Sequence, residues 1–256
     1  MLRVGRYAVV GDVLGQGVSL AGKCGNVRER EPRQVKGCGN VAGVARGVRQ
    51  LVVIGLGGGV GDVDGVLIDL EGYQMRCGME YFVQGQKKKV ENPKAYDIQD
   101  IFGCTKEERD AFWTRYIWKY CLTEPMTVNA AEMVRELRKR GHKIYIITGR
   151  VHTTKRGLKG WLFRNMLKYW LRKNRLIYDE ILFCSEDGSA VEKVQICKEK
   201  HIDIMVDDKP ENLLALKDNV GTVCYPAAWN EDCRELDAYR IGKFEELLAR
   251  VEHKAV

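Results

Sequence analysis

Two aspartates stand one residue apart, Asp62 and Asp64, with Gly65 behind them. Downstream come a hydroxyl at Thr148, followed by Gly149 and Arg150, an ammonium at Lys193, and a second acidic pair, Asp207 and Asp208. Carboxylates in this number suit a hard divalent cation such as magnesium, which takes oxygen ligands from a few carboxylates and from substrate phosphate. The hydroxyl and the ammonium suit the other half of that chemistry, offsetting the charge of a phosphoryl group so that an anionic carboxylate can approach phosphorus. Each residue also has an ordinary reading. Asp-Gly is among the commonest turn pairs, Thr-Gly after a strand and Asp-Asp before Lys-Pro are usual loop or capping chemistry, and a single helical Lys is usually solvated.

These residues become a site only if the elements around them bring them together. Asp62 to Asp69 reads as a strand end and a turn. Ala130 to Arg140 has apolar residues at helical spacing and stops at Gly141, a C-cap signal. Lys143 to Ile147 is a buried-strand pattern closing on Thr148-Gly149-Arg150, and an amphipathic helix over Lys159 to Arg172 leads to a strand at Glu180 to Cys184. Val191 to Lys200 is helical, Ile202 to Val206 is a strand ending on Asp207-Asp208, and the chain closes with a strand at Gly221 to Tyr225 and a helix at Lys243 to Glu252. Strands alternating with helices imply an α/β fold, a Rossmann-like parallel sheet with helices on both faces. Ligands of such sheets bind outside the carboxyl ends of the strands, and the polar residues above all follow strands.

The order of these residues resembles a known family. Asp62-x-Asp64-Gly65-Val66 is similar to the first motif of haloacid dehalogenase superfamily phosphohydrolases, Ile146 to Arg150 to the second, Lys193 to the lysine of the third, and Val206-Asp207-Asp208 to the fourth, over about three quarters of the chain. The resemblance implies a magnesium-dependent phosphatase. Asp62 would be the nucleophile, forming an aspartyl phosphate that splits one hard hydrolysis into two easier steps. Asp64 would be the general acid and base, its backbone carbonyl a metal ligand beside Asp62 and Asp207 or Asp208. Thr148, Gly149 and Lys193 would hold the phosphoryl group, while Asp69 has no role in the pattern. A receiver domain also gathers acids, Thr and Lys around magnesium, but its acidic pair opens the fold, whereas here an acidic pair follows the Thr and the Lys.

Domain organisation follows from the same pattern. Residues 53–72 and 128–253 form the catalytic core, and residues 73–127 a mainly helical cap that would close over the phosphate, choose the leaving group and exclude water. Within the cap Phe112, Trp113 and Tyr116 could stack a base, although an aromatic stripe at helical spacing is more often core, and in the catalytic core Arg150 could touch substrate. The stretches DGVLIDLEGY and IDIMVDDKPENLLAL resemble the deoxyribonucleotidase-like branch and a group of bacterial nucleotidase-like proteins. A nucleoside monophosphate is therefore the favoured small-molecule substrate. The alternatives are a sugar phosphate or other metabolite, or a weakly catalytic binding or regulatory protein that keeps the fold.

Residues 1–52 are different in kind. More than half of the 27 glycines precede Leu67, interspersed with Val and Arg and without sustained periodicity, so a poorly defined extension is expected there. Nine bases and three acids before Gly61 leave +6 of the net +7 in this stretch, and the nearly neutral remainder gives no reason to expect nucleic acid as a partner. Gly55 to Gly61 approximates G-x-G-x-x-G, but Val60 occupies a glycine position and no G-K-[ST] follows. The glycines also thin out the strand that should precede Asp62, so either Leu51 to Ile54 supplies part of it through an irregular link or the strand is disturbed. Nine scattered cysteines without a C-x-x-C pair indicate neither a zinc site nor a disulfide framework. With no apolar run long enough to span a bilayer, a soluble cytoplasmic protein with no membrane partner is expected.

Overall fold

In the computed structural model the described residues are 53–59, 64–185, 188–233, 236 and 239–253. The expected extension over residues 1–52, and Asp62 itself, lie outside them. The described residues fall within one compact unit, Arg46–Val256.

The elements alternate as the sequence predicts. β1 (Val53–Gly59) is followed by three helices, α1 (Leu70–Gly78), α2 (Ile98–Phe102) and α3 (Lys106–Thr123), a π-helical stretch over Met79–Gln84 extending the first. α4 (Ala130–Lys139), β2 (Tyr145–Arg150), α5 (Gly157–Lys173), β3 (Glu180–Phe183), α6 (Ser189–Lys200), β4 (Ile204–Asp207), α7 (Pro210–Leu216), β5 (Gly221–Cys224), β6 (Tyr239–Arg240) and α8 (Glu246–His253) complete the chain. The six strands form one sheet in the order β3-β2-β1-β4-β5-β6, every neighbour parallel. β2 and β4 are buried along their whole length, as central strands covered on both faces must be.

The glycine-rich strand forms nonetheless. β1 pairs with β2 from Val53 opposite Tyr145 to Gly59 opposite Arg150, with a register shift between Leu56 and Gly58, while β4 pairs only with Val53 and Ile54. The irregular link expected after Ile54 is this shift. A ladder needs backbone groups, not side chains, so glycine weakens the strand without preventing it.

α4 buries Ala130, Met133, Val134 and Leu137, one face at helical spacing, and the left-handed Gly141 (φ 87°) follows its end. α3 starts at a capping box, Thr105 with Glu108, and buries Phe112, Trp113, Tyr116, Ile117, Tyr120 and Cys121. The helical stretch of α1 to α3 leaves and rejoins the core at one place, where Ile68 bridges Met126 and the Thr127 amide donates to the Leu67 carbonyl (2.8 Å). Its apolar side chains belong to the same buried cluster as those of β2, β4 and α5. Trp170 of α5 ties the two layers by donating its indole N–H to the Glu124 carbonyl (2.8 Å). The seven described cysteines are free thiols, and none of the described helices is long and apolar enough to cross a membrane.

Candidate active site

The turn at Gly65 fixes Asp64, the first acidic residue of the site among those described. Gly65 has φ 98°, a conformation that favours glycine, and its amide donates to the Ile68 carbonyl (2.9 Å). A Cβ on Gly65 would fall 1.9 Å from Asp208 Oδ2, so only glycine lets the Asp208 carboxylate lie against this turn. Asp64 is fully buried and accepts a hydrogen bond from the Tyr120 hydroxyl of α3. That contact places the inserted helical layer directly on the motif turn. Burial, then the nearby Asp64 carboxylate, push the Tyr120 phenol well above its usual range, so it stays a donor at physiological pH.

β2 ends on Thr148-Gly149-Arg150, all buried. The Thr148 hydroxyl accepts from the Arg150 amide (3.2 Å), and the Arg150 guanidinium lies 5.4 Å from the Tyr120 ring centre with Nη2 3.2 Å from Cys121 Sγ. Arg150, expected to touch substrate, is thus packed beneath α3.

β4 delivers the second acidic pair. Asp207, fully buried, accepts from Lys193 Nζ through Oδ2 (2.8 Å), from the Lys209 amide through Oδ1 (2.9 Å), and from Asn212 Nδ2 on both oxygens (3.1 and 3.2 Å). Lys193 arrives from α6 and is itself fully buried. An ion pair this deep is tolerable only because its remaining hydrogen bonds are met. Pro210 at the first turn of α7 sets the helix immediately behind the pair and so brings Asn212 back onto Asp207. The Asp208 carbonyl accepts from Trp229 Nε1 (3.1 Å) and Asn230 Nδ2 (2.7 Å).

Lys193 is joined to Asp207, and Asp208 lies against the Asp64–Gly65 turn, at the carboxyl end of β4, while Thr148 lies near the carboxyl end of the parallel strand β2. No model of a known protein family matches the sequence. A Bacillus cereus protein named "Putative nucleotidase" is 28% identical over 162 residues, covering 60% of this chain and 78% of that one. One of the same name from Oceanobacillus iheyensis is 26% identical over 179 residues, covering 67% and 87%. Among solved structures, a "predicted phosphoglycolate phosphatase" from Haemophilus somnus superposes with TM-score 0.54 at 12% identity, over 81% of this chain and all of that one. A "predicted phosphatase" from Clostridium acetobutylicum does so with TM-score 0.54 at 16% identity, over 80% and 98%. This chain has the haloacid dehalogenase fold. Its parallel sheet with flanking helices agrees with that fold.

Three aromatic residues offered as base-stacking candidates lie where helical spacing more often puts such a stripe, in the core. Phe112, Trp113 and Tyr116 are 0%, 4% and 6% exposed and pack inside the helical layer, Phe112 stacking on Phe82 at 5.5 Å and Tyr116 accepting from the Tyr73 hydroxyl through its carbonyl (2.9 Å). A stripe that buries its rings cannot offer them to a base, so these are packing residues. Three others were missed. Tyr120 lies on α3, far from every motif in the chain, and Asn212 four residues beyond Asp208, and only their partners reveal them. Trp229 carries no sequence signal at all.

A cavity of about 610 Å³ opens beside the motif turn, bordered by Gly65, the start of α1 at Leu70, the linker at Met126, and the rings of Tyr225, Trp229 and Phe244. The donor set suits magnesium, because the Asp208 carboxylate is held against the turn that carries the Asp64 carbonyl, and both are hard oxygen ligands. Among the described residues no three His, Cys, Asp or Glu side chains gather as a ligand cluster.

Proposed function

We propose that this protein is a magnesium-dependent phosphatase of small phosphate monoesters, with a nucleoside monophosphate as the favoured substrate. The observation that carries the reading is the buried Lys193–Asp207 pair, 2.8 Å apart, set beside the Asp208–Gly65 contact. Burying an ammonium and two carboxylates costs stability that pairing only partly offsets, which marks a functional site, and phosphoryl transfer uses this combination.

In this reading Asp62 attacks phosphorus and becomes an aspartyl phosphate, which water then hydrolyses. Asp64 protonates the leaving oxygen and later takes a proton from the attacking water. Tyr120, by donating to one Asp64 oxygen, fixes which way that carboxyl group points. Thr148, the Gly149 backbone and Lys193 face the phosphoryl oxygens. Asp207, with both oxygens engaged by Lys193, Asn212 and the Lys209 amide, holds the lysine in place, which leaves Asp208 as the carboxylate suited to magnesium together with Asp62 and the Asp64 carbonyl. Magnesium would supply charge neutralisation on the phosphoryl group.

The leaving group is assigned to the cavity of about 610 Å³, within the range of small-molecule pockets. Tyr225 and Trp229 offer ring faces there in place of the buried rings of α3. The names of the two relatives support a nucleotide. The test is phosphate release from a panel of nucleoside monophosphates and sugar phosphates. A higher kcat/KM for a nucleoside monophosphate, abolished by chelator and by Asp62→Asn, is expected. Equal turnover across the panel would remove the nucleotide assignment, and turnover that survives Asp62→Asn would remove the mechanism.

A further inference from the structure

From Val151 to Tyr178 the chain carries eight bases and no acid. Three of them, Lys168, Arg172 and Arg175, join Arg135 of α4 around a cavity of about 640 Å³, with Ile177 and Tyr178 as its apolar wall. No acidic residue lines it. Elsewhere bases are commonly matched: Lys88 with Glu108, Lys94 with Glu231, Arg140 with Glu136, Lys200 with Glu180. Among the described residues these four bases have no carboxylate partner. Asp179, next along the chain, is already held by Arg138 and by the Ile144 amide (2.7 Å).

The helix dipole accounts for part of this. Bases in a last turn complement the negative end of a helix, which covers Arg172. It does not cover Lys168, Arg135 in the middle of α4, or Arg175 beyond the helix. Arg175 has φ 56°, at a helix exit where glycine or asparagine is the unstrained choice. Two guanidinium groups are also preset: Arg135 Nε donates to the Ala131 carbonyl (3.2 Å), and Arg172 lies over the Tyr169 ring at 5.9 Å. Four like charges around one apolar-walled cavity repel each other, and a multivalent anion relieves that repulsion.

The cavity is separate from the candidate active site. It is built from the end of α5 and the segment entering β3, at the amino edge of the parallel sheet, whereas Thr148, Asp207 and Asp208 lie toward its carboxyl edge.

We propose that this cavity is a binding site for a small polyphosphate anion, distinct from the site of phosphate release. The test is calorimetric titration of the full chain with inorganic tripolyphosphate, in chelator and at low salt, against the double variant Lys168→Gln/Arg172→Gln. One saturable event is expected, weakened about tenfold or more in the variant and steeply by added salt, since screening shortens to a few ångströms near 1 M. Unchanged melting temperature and phosphate release in the variant show that the loss is local. Undiminished binding in the variant would place the anion elsewhere and overturn the proposal, as would no binding to the unaltered chain. A parallel sedimentation with phosphatidylcholine vesicles containing phosphatidylserine separates the sources. Vesicle binding without tripolyphosphate binding would make the surface a lipid-facing one and overturn the small-anion reading.

Discussion

Tyr120 shows how a residue outside every motif can govern one inside. Its hydroxyl reaches Asp64 from α3, so removing it leaves both the proposed nucleophile and the Lys193–Asp207 pair in place. Tyr120→Phe is therefore expected to leave KM nearly unchanged and to lower kcat by about tenfold to a hundredfold for a substrate with a basic leaving oxygen, a part of what general acid catalysis is worth. With an activated aryl phosphate, whose leaving oxygen scarcely needs a proton, the loss should be slight. Steady-state kinetics on the two substrates decides it, and an equal loss on both would mean that Tyr120 acts through packing alone. Asp64, Asp207, Asp208, Thr148 and Lys193 could be singled out in the sequence because their types and order are constrained by chemistry. Tyr120 could not be, because a hydrogen bond between elements 56 residues apart leaves no local pattern, and Asn212 could not be, because an asparagine in the first turns of a helix reads as ordinary polar surface.

At the scale of elements, periodicity carried most of the fold. β2, β4 and β5 were legible as short apolar runs, α4 as one apolar stripe and α5 between its flanking loops. β6 was not, since two exposed residues, Tyr239 and Arg240, carry no alternation. The aromatic stripe of α3 was legible as a stripe but not as to what it faces, since rings that pack against Phe82 and Tyr73 read the same as rings that would meet a base. The loop between β2 and α5 contributes a pH effect. His152 stacks edge-on against Phe163 at 4.9 Å, and burial, with Lys159 and Lys155 nearby, lowers its pKa to about 4. Between pH 6.5 and 4 the unfolded chain thus takes up a proton that the native state refuses, so stability falls as the pH drops through this window and is level above it. The half-buried ring limits the effect to roughly 1–2 kcal/mol. Denaturant unfolding at pH 7.5 and 4.5 should show a smaller drop for His152→Asn, asparagine being tolerant of the left-handed backbone there (φ 65°). Identical drops in both proteins would exclude His152 as the titrating group.

The whole molecule turns on where the folded unit begins. Arg46–Val256 is compact by itself, and its first strand starts at Val53, so a chain beginning at Arg46 retains seven residues ahead of β1. Every residue placed in the candidate active site, and all four bases of the proposed anion cavity, lie within it. Removing residues 1–45 takes away seven bases and three acids. That changes the net charge by −4, a long-range effect which salt screens, while the short-range contacts at both sites stay. The shortened protein is expected to melt within about 3 °C of the full chain, the shift that roughly 1 kcal/mol produces in a domain of this size. Its kcat/KM and its affinity for tripolyphosphate should match the full chain within about twofold at 0.15 M salt. Differential scanning calorimetry, phosphate release and the calorimetric titration measure the three quantities independently. Loss of the melting transition would show that β1 needs its upstream neighbours. Loss of anion affinity alone would assign that binding to residues 1–45 and away from the cavity between α4 and α5.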